Sequence, residues 1–423
     1  MREAKTLTAI FIVALALRLM VAVSLHVELT SADEASGGGG LRVGGVLVRW
    51  TAGEPRGPDA LTYDRLAWSL AHERGFHTSA LFGEEFLAFR PVLFPLVLAG
   101  VYKAIGHSIF AGEVMQCFLG AALCLLVYGL TQEMFGRKAA LIAAMITTIY
   151  PSFIYYSVAL STETLCTVCL VGAVWLILRA GPEFREPLKW APAGIVLGLA
   201  ILTRSELIAF LPVLLIWALV SFPRKRHAAY GWLTCVALAL FTLMPWLMRN
   251  YLMLGSPVLT TDGGYTFWCG NHPLSDGGGH CFLPENPPQF TRLDEVAMDR
   301  EFYRAGFQFV ERDPARFVRL VFVRLWRLWR PFPHADEVGL ATAVVGGLEF
   351  VPILALAVWG ACLHRRLWRQ WLLFVLLFGT VSFVHMLFMS VTRYRVPLMP
   401  LLIVLAAAAL AHLAGERAKK NLR

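Results

Sequence analysis

The stretch LATAVVGGLEFVPILALAVWGACL, residues 340–363, decides the fold class of this chain. Its one charged side chain is Glu349, and a run of about 20 apolar residues is enough for an α-helix to cross a bilayer. His364, Arg365 and Arg366 follow it directly. Since basic residues collect in cytoplasmic loops, the stretch predicts a transmembrane helix that ends at the cytoplasm.

The composition of the whole chain agrees with a membrane protein. Of its 423 residues, 57% are hydrophobic and 16% are charged, whereas soluble domains average about 45–50% apolar and 25% charged residues. These values exclude a purely soluble protein. The formal net charge of +9 is typical of basic loops beside apolar spans, so we expect membrane lipids as surroundings and no nucleic acid as a partner.

Apolar stretches along the chain predict an all-α polytopic membrane protein with about ten transmembrane helices. They cover residues 7–27, 112–134, 139–156, 161–178, 190–203, 207–222, 228–246, 340–363, 370–389 and 396–412. The first stretch is longer than the apolar core of a signal peptide, which indicates a retained anchor. Most basic residues of the short loops fall on one side, so both chain termini are predicted to lie in the cytoplasm.

The apolar run from Pro91 to Ile105 is ambiguous. Its length is about 15 residues, whereas crossing the bilayer takes about 20. If it were a span, every basic loop that follows would move to the outer side, against the positive-inside rule. We therefore predict that this run is an interfacial helix on the outer surface.

The predicted spans leave two long outer loops and divide the chain into three parts. Residues 1–250 form an N-terminal membrane module with the first outer loop (28–111), residues 251–339 form the second outer loop, and residues 340–423 form C-terminal transmembrane helices. Arginines at near-helical spacing from 316 to 330 predict a basic amphipathic helix in the headgroup layer. This helix is either a scaffold anchored by Trp326 and Trp329 or a collector of anionic lipid substrate.

The eight cysteines give no metal-ligand pattern. We expect six of them to be small buried side chains in apolar stretches: Cys117, Cys124, Cys166, Cys169, Cys235 and Cys362. Cys269 and Cys281 flank a polar loop on the predicted outer side, where an oxidising compartment either joins them or leaves them free. No cofactor is predicted. A divalent metal is possible but not indicated, since the weak candidates form no clear ligand set: His334, Asp336 and Glu337.

Chemistry at the outer face requires an activated substrate on a lipid carrier, because nucleotides are not supplied there. A carboxylate can take the proton of an attacking hydroxyl, and arginines can bind a phosphate and stabilise its developing charge. Asp59 lies just before the predicted helix 61–72. It is either catalytic or an N-cap, with Asp33, Glu34 and Asp64 as rivals.

Further candidates lie at the predicted outer ends of spans. Glu163 begins a span, where the helix dipole alone would favour an acid, and Arg204 with Glu206 could form a simple ion pair. Arg393 and Arg395 lie at the mouth of the last span. Because the charge rule disfavours basic residues on that side, this pair indicates a bound anion.

Four blocks of the sequence resemble the GT-C class of integral-membrane glycosyltransferases. The resemblance is to the bacterial branch related to dolichyl-phosphate-mannose protein mannosyltransferases and lipid A aminoarabinose transferases. The blocks are PDALTYDRLA (58–67) with FRPVLFP (89–95); FGR (135–137) with YP (150–151) and LSTETL (160–165); RNY (249–251) with TDGGYTFWCGN (261–271); and RYRVPLMP (393–400). They occur in the expected order on one predicted membrane face.

The resemblance implies a GT-C-like bundle that transfers a sugar, with inversion, from a polyprenyl (undecaprenyl) phosphate donor to a hydroxyl of a glycan, lipid or protein acceptor. By position it assigns Asp59 as the general base and Glu163 as a second acidic group. The residues assigned to the donor phosphate are Arg90, Arg204, Arg249, Arg393 and Arg395. Those assigned to the sugar or acceptor pocket are Tyr63, Gly270 and Asn271.

The implied location is the bacterial inner membrane, with the active site facing the periplasm. Two other functions stay open at this point. A lipid-linked sugar transporter or flippase would need polar or broken helices near the bilayer centre, whereas most spans here are uninterrupted apolar runs. A polysaccharide polymerase or ligase with a pyrophosphate-linked donor would use a similar carboxylate and similar arginines, so the residues do not separate it from the transferase.

Overall fold

The computed structural model of the chain describes residues 2–36, 40–43, 46–49, 59–72, 74–81, 84–180, 187–279 and 293–420. Its helices up to residue 221 are α1 (Arg2–Ser36), α2 (Ala60–Ala71), α3 (Leu93–Ile105), α4 (Ile109–Ile149), α5 (Pro151–Tyr156), α6 (Thr162–Ala180), α7 (Ala191–Thr203) and α8 (Phe210–Ser221). The later helices are α9 (Lys225–Leu254), α10 (Gly263–Asn271), α11 (Glu295–Arg312), α12 (Pro314–Trp329), α13 (Ala335–Val338), α14 (Leu340–Leu363), α15 (Trp368–Leu387) and α16 (Met399–Lys420).

Short elements connect these helices. Turns of 3₁₀-helix cover Pro187–Trp190, Ser205–Ala209, Arg365–Leu367 and Thr392–Leu398. In the described ranges the strands form two small antiparallel hairpins, β1 (Gly40–Val43) with β2 (Val46–Arg49) and β3 (Thr78–Leu81) with β4 (Glu84–Phe86). Both hairpins fall in the predicted first outer loop, so the membrane part of the fold is helical.

The predicted all-α polytopic architecture is confirmed. By length and composition, seven helical segments of the described chain could cross a membrane, and they lie within α1, α4, α6, α9, α14, residues 365–387 and residues 392–415. Three shorter apolar helices cover Leu93–Ile105, Leu188–Thr203 and Ser205–Ser221. Each of the ten predicted spans has an apolar helical segment at its position. Helix α4 contains one predicted span and most of a second, and α5 completes the second.

Helix α4 reverses direction at Gly136. This residue has φ +79° inside an otherwise continuous helical segment, and glycine adopts a positive φ at little cost. The two arms lie side by side, since the Thr148 hydroxyl is 3.6 Å from the Cys124 sulfur and Tyr128 packs with Ala140 from the other arm. The predicted span 112–134 lies in the first arm of one helical hairpin, and the second arm covers the predicted span 139–156 as far as Ile149, after which α5 begins.

Helix α16 is the buried centre of the bundle. Every side chain from Leu401 to Ala409 is at most 6% exposed, and α16 packs against both α4 and α14. A side chain at Gly360 of α14 would collide with the Leu405 carbonyl oxygen. Small residues at this crossing therefore allow the two backbones to approach closely, as is common between membrane helices.

The predicted interfacial run 91–105 forms α3, which packs on α2. One α2 carboxylate, Asp64, accepts hydrogen bonds from the Tyr102 hydroxyl at 2.6 Å and from His107 Nε2 at 2.9 Å. Asp64 is thus occupied in joining these two helices, which removes it as a rival to Asp59. The placement of α3 on the outer membrane surface stays a prediction.

The predicted basic amphipathic helix is α12. Arg324 is fully buried and donates to the carbonyl oxygens of Met386 and Leu387, each at 3.0 Å. Phe322 and Trp326 are exposed on the outer face. Since the buried arginine binds backbone carbonyls, this part of the helix fits the scaffold interpretation.

The cysteines mostly follow expectation. Cys269 is disulfide-bonded, and Cys281 lies outside the described residues. Of the six cysteines in apolar stretches, all with free thiols, Cys362 is exposed on α14 and the other five are buried. The prediction of a buried side chain is therefore wrong for Cys362, because this part of α14 faces away from the bundle.

Arg18 is a buried charge within the first predicted span. Its side chain is fully buried and donates to the carbonyl oxygens of Thr147 and Thr148, each at 3.3 Å, and to the Ser157 hydroxyl at 3.2 Å. The last carbonyls of a helix lack intrahelical partners and carry partial negative charge. Arg18 therefore anchors α1 to the carboxyl end of α4.

We expect Arg18→Met to lower the free energy of unfolding by about 2–3 kcal/mol, because buried carbonyl oxygens lose a charged donor. Thermal unfolding in detergent, followed by size-exclusion chromatography, would measure the change. Lys5→Met on the exposed part of the same helix is the matched control, with an expected change within about 0.5 kcal/mol. Equal effects of the two substitutions would contradict the anchoring role.

Candidate active site

A cavity of about 1440 Å³ lies between the two outer loops and the membrane helices. Its polar wall includes Asp59, Arg90, Glu163, Arg204, Glu206, Asp262, Asp299, His385 and Arg393. Its apolar walls include Leu240, Leu243 and Leu247 of α9, Pro151 and Tyr155 of α5, and Ala341 and Val345 of α14. A cavity with a charged centre and apolar extensions fits a ligand with a polar head and an apolar tail.

Asp59 occupies the N-cap position of α2, but its side chain makes no capping hydrogen bond. Each carboxylate oxygen instead contacts a guanidinium group: Arg90 Nη2 lies 2.8 Å from Oδ1, and Arg393 Nη2 lies 2.9 Å from Oδ2. Burial alone would raise the pKa of Asp59, but the two arginines outweigh it and hold this pKa below its ordinary value. Asp59 is therefore an ionised carboxylate, clamped by two cations.

A second cluster of acids and an arginine lies in the same cavity. Arg204 Nη2 is 2.8 Å from Glu163 Oε1, and Arg204 Nη1 is 3.4 Å from Glu206 Oε1. The guanidinium carbons of Arg204 and Arg393 lie 5.3 and 5.4 Å from the centroid of the Tyr394 ring. One aromatic ring thus connects the second cluster to the clamp at Asp59.

Glu295 of α11 fixes the segment that carries Arg90. Its carboxylate accepts hydrogen bonds from the backbone N–H groups of Leu87 at 2.6 Å and Ala88 at 2.8 Å, and from the Thr261 hydroxyl at 2.5 Å. The Thr261 N–H also donates to the Ala88 carbonyl at 3.0 Å. One buried acid of the second outer loop therefore positions the first outer loop beside the cavity.

Two carboxylates that the sequence analysis did not single out also line the cavity. Burial raises the pKa of Asp262, although the nearby Arg90 opposes the shift. Burial likewise raises the pKa of Asp299 to about 6, and this carboxylate accepts a hydrogen bond from the Gly264 N–H at 2.6 Å. Asp262 belongs to the sequence block 261–271, so the block could have indicated it as a site residue. Asp299 belongs to none of the four blocks.

The predicted pocket residue Tyr63 lies in the cavity wall. It is 4% exposed, and its ring meets Phe94 edge-on with centroids 5.2 Å apart. The cavity lining thus brings together seven of the predicted site residues: Asp59, Tyr63, Arg90, Glu163, Arg204, Arg393 and Arg395.

Arg395 lines the cavity, but its guanidinium group binds backbone carbonyl oxygens. Its guanidinium group donates to the carbonyl oxygens of Leu328 at 3.3 Å and Arg330 at 2.6 Å, and it lies 3.7 Å from the centroid of the Phe350 ring. These carbonyls lie at the carboxyl end of α12. In this structure Arg395 caps a helix, and its assignment to the donor phosphate stays a prediction.

Arg249 is not among the residues that line the cavity. Its guanidinium donates to the Leu87 carbonyl at 2.6 Å and to the Asn250 side-chain oxygen at 2.9 Å, and it lies 5.0 Å from the centroid of the Trp246 ring. Its predicted role at the phosphate stays a prediction. It ties α9 to the backbone just before Arg90.

Gly270 and Asn271 also lie away from the cavity lining. A side chain at Gly270 would strike the Phe388 carbonyl oxygen, and the Asn271 side chain donates to the Phe267 carbonyl at 2.9 Å. Arg324 donates to the Gly270 carbonyl and to the Asn271 side-chain oxygen. These contacts fit the structural alternative, a tight packing point between α10, α12 and α15, and the pocket role stays a prediction.

The described part of the chain contains no group of three or more His, Cys, Asp or Glu side chains that could hold a metal ion. The side chains of two of the weak candidates, Asp336 and Glu337, lie outside the described residues. The rival acids Asp33 and Glu34 likewise have no described side chains.

Part of the chain matches a known protein family. Residues 89–248 match the sequence model of a family described as dolichyl-phosphate-mannose-protein mannosyltransferase. No curated protein sequence matches the chain. The matched range contains Arg90, Glu163 and Arg204 of the cavity and ends before Arg393.

Solved structures share the fold at low sequence identity. Archaeal oligosaccharyltransferase AglB from Archaeoglobus fulgidus, in complex with an inhibitory peptide and a dolichol-phosphate, aligns with 100% of this chain and 52% of its own at 16% identity and a TM-score of 0.58. The apo oligosaccharyltransferase of Archaeoglobus fulgidus aligns with 98% of this chain and 52% of its own at 14% identity and a TM-score of 0.58. The chain spans about half the length of these proteins.

ArnT from Cupriavidus metallidurans, bound to undecaprenyl phosphate, aligns with 94% of this chain and 78% of its own at 15% identity, but with a TM-score of 0.39. This chain is a multi-pass membrane protein that shares the fold of these oligosaccharyltransferases, and its residues 89–248 match the mannosyltransferase family. The resemblance found in the sequence blocks is confirmed at that level.

We expect Asp299→Asn to raise the unfolding temperature at pH 7.5, since the folded protein holds the pKa of this acid at about 6, above the ordinary 3.8. The stability contributed by the neutral form is fully present below the ordinary pKa and is lost as the pH rises through about 6. Asparagine keeps the acceptor for Gly264 without the charge. The gain should therefore vanish in unfolding measurements at pH 4.

Glu311→Gln, at an exposed position of the same helix, is the matched control for a lost negative charge. It should leave the unfolding temperature nearly unchanged at both pH values. If Asp299→Asn lowers the unfolding temperature at pH 7.5, the ionised carboxylate stabilises the fold and the expected sign is wrong.

Proposed function

We propose that this protein transfers a sugar from a polyprenyl (undecaprenyl) phosphate donor to an acceptor hydroxyl, with inversion, and that Asp59 is the general base. The observation that carries the proposal is the clamp: a carboxylate between two arginines, Arg90 and Arg393, at the centre of a large amphipathic cavity. In this clamp Asp59 can accept a proton, and the two arginines in direct contact with it can bind a phosphate.

The arginines of the clamp supply the chemistry that a leaving phosphate needs. A guanidinium group binds phosphate oxygens bidentately and with charge assistance. Positive charge fixed beside the departing oxygen also stabilises the negative charge that grows there in the transition state. Arg90 and Arg393 release Asp59 when they turn to a donor phosphate, so binding of the donor prepares the base.

Release from the arginines makes Asp59 a stronger base. In the structure the two guanidiniums hold the pKa of Asp59 below its ordinary value, whereas burial alone would raise it. A phosphate that takes over either arginine weakens the opposing charge, so the pKa of the carboxylate rises. The acceptor hydroxyl then gives its proton to Asp59 while its oxygen bonds to the anomeric carbon. The bond from that carbon to the phosphate oxygen on the opposite face breaks, and polyprenyl phosphate leaves with the electron pair.

The second cluster supports the same reaction. Arg204 is held between Glu163 and Glu206, and these carboxylates balance its positive charge when no donor is bound. Arg204 also lines the cavity. In this proposal Arg204 is a third ligand of the donor phosphate, and Glu163 orients it. Glu163 is 2% exposed and bound to Arg204, which favours this positioning role over direct proton transfer.

The apolar walls of the cavity provide for the lipid tail of the donor. Leu240, Leu243 and Leu247 recur on one face of α9 and line one side, while residues of α5 and α14 line another. The likeness in fold to an oligosaccharyltransferase that was solved with dolichol-phosphate supports a polyprenyl carrier. The acceptor is a hydroxyl on a glycan, lipid or protein, and the reaction requires no cofactor.

We place the reaction at the outer face of the bacterial inner membrane, with both termini of the multi-pass chain in the cytoplasm. The charge asymmetry of the short loops supports this orientation. Lipid-linked sugars are activated substrates that are available on that face without nucleotides. The clamped carboxylate favours the transferase over a transporter, which would not need a base.

We expect Asp59→Asn to reduce sugar transfer by about 10²–10⁴-fold, the usual contribution of a general base. The same variant should bind undecaprenyl phosphate more tightly than the wild type, because two arginines lose a competing carboxylate. Transfer would be measured with labelled polyprenyl-phosphate sugars and purified protein, and binding by native mass spectrometry. A fully active variant would remove Asp59 from the mechanism.

Asp294→Asn is the matched control for Asp59→Asn. Asp294 also occupies a helix N-cap, but its side chain accepts a capping hydrogen bond from the Ala297 N–H at 2.8 Å. Asparagine caps as well as aspartate, so stability, transfer and lipid binding should all stay at wild-type levels. If both variants lose transfer equally, the loss at Asp59 is a general effect on folding.

We expect Arg393→Ala and Arg395→Ala to separate ligand binding from stability. Arg393→Ala should weaken binding of undecaprenyl phosphate by about tenfold or more, the range of a charged hydrogen bond. It should lower the unfolding temperature less than Arg395→Ala does, because Asp59 keeps its ion pair with Arg90. Arg395→Ala should lower the unfolding temperature, and Arg395→Lys should bind the lipid normally. Loss of lipid binding in a folded Arg395→Lys would return this residue to the phosphate site.

A further inference from the structure

His385 lines the cavity near the carboxyl end of α15. Its side chain is 10% exposed, and its ring stacks on Tyr394 with centroids 4.2 Å apart and planes 11° from parallel. Its Nδ1 lies 3.2 Å from the Met389 carbonyl oxygen. Because a carbonyl can only accept a hydrogen bond, Nδ1 carries the ring proton, and Nε2 of the neutral ring keeps a lone pair.

Nε2 has no hydrogen-bond partner among the described residues. The nearest acidic oxygen, Glu206 Oε1, is 3.9 Å away, which is too far for a hydrogen bond. When the ring is neutral, His385 Nε2 and Glu206 Oε1 are both hydrogen-bond acceptors, so neither can donate a hydrogen bond to the other. Buried acceptors are nearly always paired in native proteins, which indicates that a hydrogen-bond donor from outside the chain completes this pair.

The position of the ring is fixed from several directions. Arg324 binds the carbonyl oxygens of Met386 and Leu387, immediately after His385. The stacked Tyr394 and the bond to Met389 hold the ring itself. Because the ring is held in place, His385 Nε2 cannot rotate toward another hydrogen-bond donor of the protein. Its fixed position favours a ligand whose donor group lies beside Nε2.

We propose that His385 Nε2 and Glu206 Oε1 together bind a hydrogen-bond-donating substituent, a hydroxyl or an amino group, of the sugar on the donor lipid. This inference rests on the proposed function. Two acceptors require a donor between them. Neither His385 Nε2 in the neutral ring nor the Glu206 carboxylate can donate a hydrogen bond to a phosphate oxygen, so the pair favours hydroxyls and amines.

The order of contacts across the cavity assigns this pair to the sugar and not to the acceptor. Asp59, which receives the acceptor proton, contacts Arg393. Arg393 lies over Tyr394, and Tyr394 stacks on His385. His385 is therefore separated from the base by a ligand of the donor phosphate. The group joined directly to that phosphate, apart from the lipid, is the sugar.

The test compares two lipids on the purified full-length protein in lipid nanodiscs. Undecaprenyl phosphate carries no sugar, and a small set of undecaprenyl phosphoryl sugars (glucose, mannose, galactose and glucosamine) carries hydroxyl or amino substituents. Dissociation constants are measured for wild type, His385→Phe and His385→Gln. Phenylalanine keeps the stacking on Tyr394 but has no lone pair, whereas the glutamine amide oxygen can accept a hydrogen bond.

We expect His385→Phe to bind undecaprenyl phosphate within about twofold of wild type, and to bind the preferred sugar lipid about 3- to 10-fold more weakly, which corresponds to one neutral hydrogen bond. His385→Gln should recover part of that loss. A deoxy analogue of the preferred sugar that lacks the responsible hydroxyl should bind wild type and His385→Phe equally, as a double-mutant cycle requires. His364→Phe, at a histidine that packs on Phe135 with centroids 4.9 Å apart and lies outside the cavity lining, is the matched control.

The outcomes separate this inference from the function on which it rests. If His385→Phe weakens both kinds of lipid equally, or weakens neither, the inference is overturned while the proposed function stands. Each deoxy analogue is compared with the unmodified sugar lipid. If every analogue loses the same affinity in wild type as in His385→Phe, the ring contacts no sugar substituent and the inference is again overturned. If the wild type binds neither undecaprenyl phosphate nor any sugar lipid, the proposed function itself fails.

Discussion

The carboxylate of Asp59 is the centre on which the site depends, because its two oxygens bind arginines from distant parts of the chain. Arg90 belongs to the first outer loop, and Arg393 lies just before the central helix α16. Without this acid, two guanidiniums would face each other in a poorly solvated cavity, where like charges repel strongly. The ion pairs therefore join the outer loop to the bundle and keep the carboxylate beside both arginines, as the proposed reaction requires.

The arginines of this protein divide into two groups according to what they bind. Arg90, Arg204 and Arg393 contact carboxylates inside the cavity, and a substrate anion can replace such a partner. Arg18 and Arg324 bind backbone carbonyls at helix ends, where replacement would leave buried acceptors without donors. The first group is suited to binding and release, and the second group holds the helices in place.

The sequence predicted most of the membrane fold because hydrophobic runs and loop charges act locally. It did not reveal that the spans on either side of Gly136 form one helical hairpin, which follows from a positive backbone angle. For the site, Asp59, Arg90 and Arg393 belonged to quoted motifs. Motifs alone could not separate Arg393 from Arg395, because residues two positions apart share a sequence environment while their side chains meet different partners.

The sequence by itself determined a helical membrane protein, its approximate spans, and a set of acids and arginines assigned to the outer face. Only the tertiary structure decided which of these side chains meet. Asp59 and Arg393 are far apart in the chain and make contact through packing of the first outer loop on the bundle, helped by Glu295. The role of His385 likewise depends on the residues around its ring. Hydrophobicity is a property of each segment, whereas an ion pair or an unsatisfied lone pair exists only between groups that folding brings together.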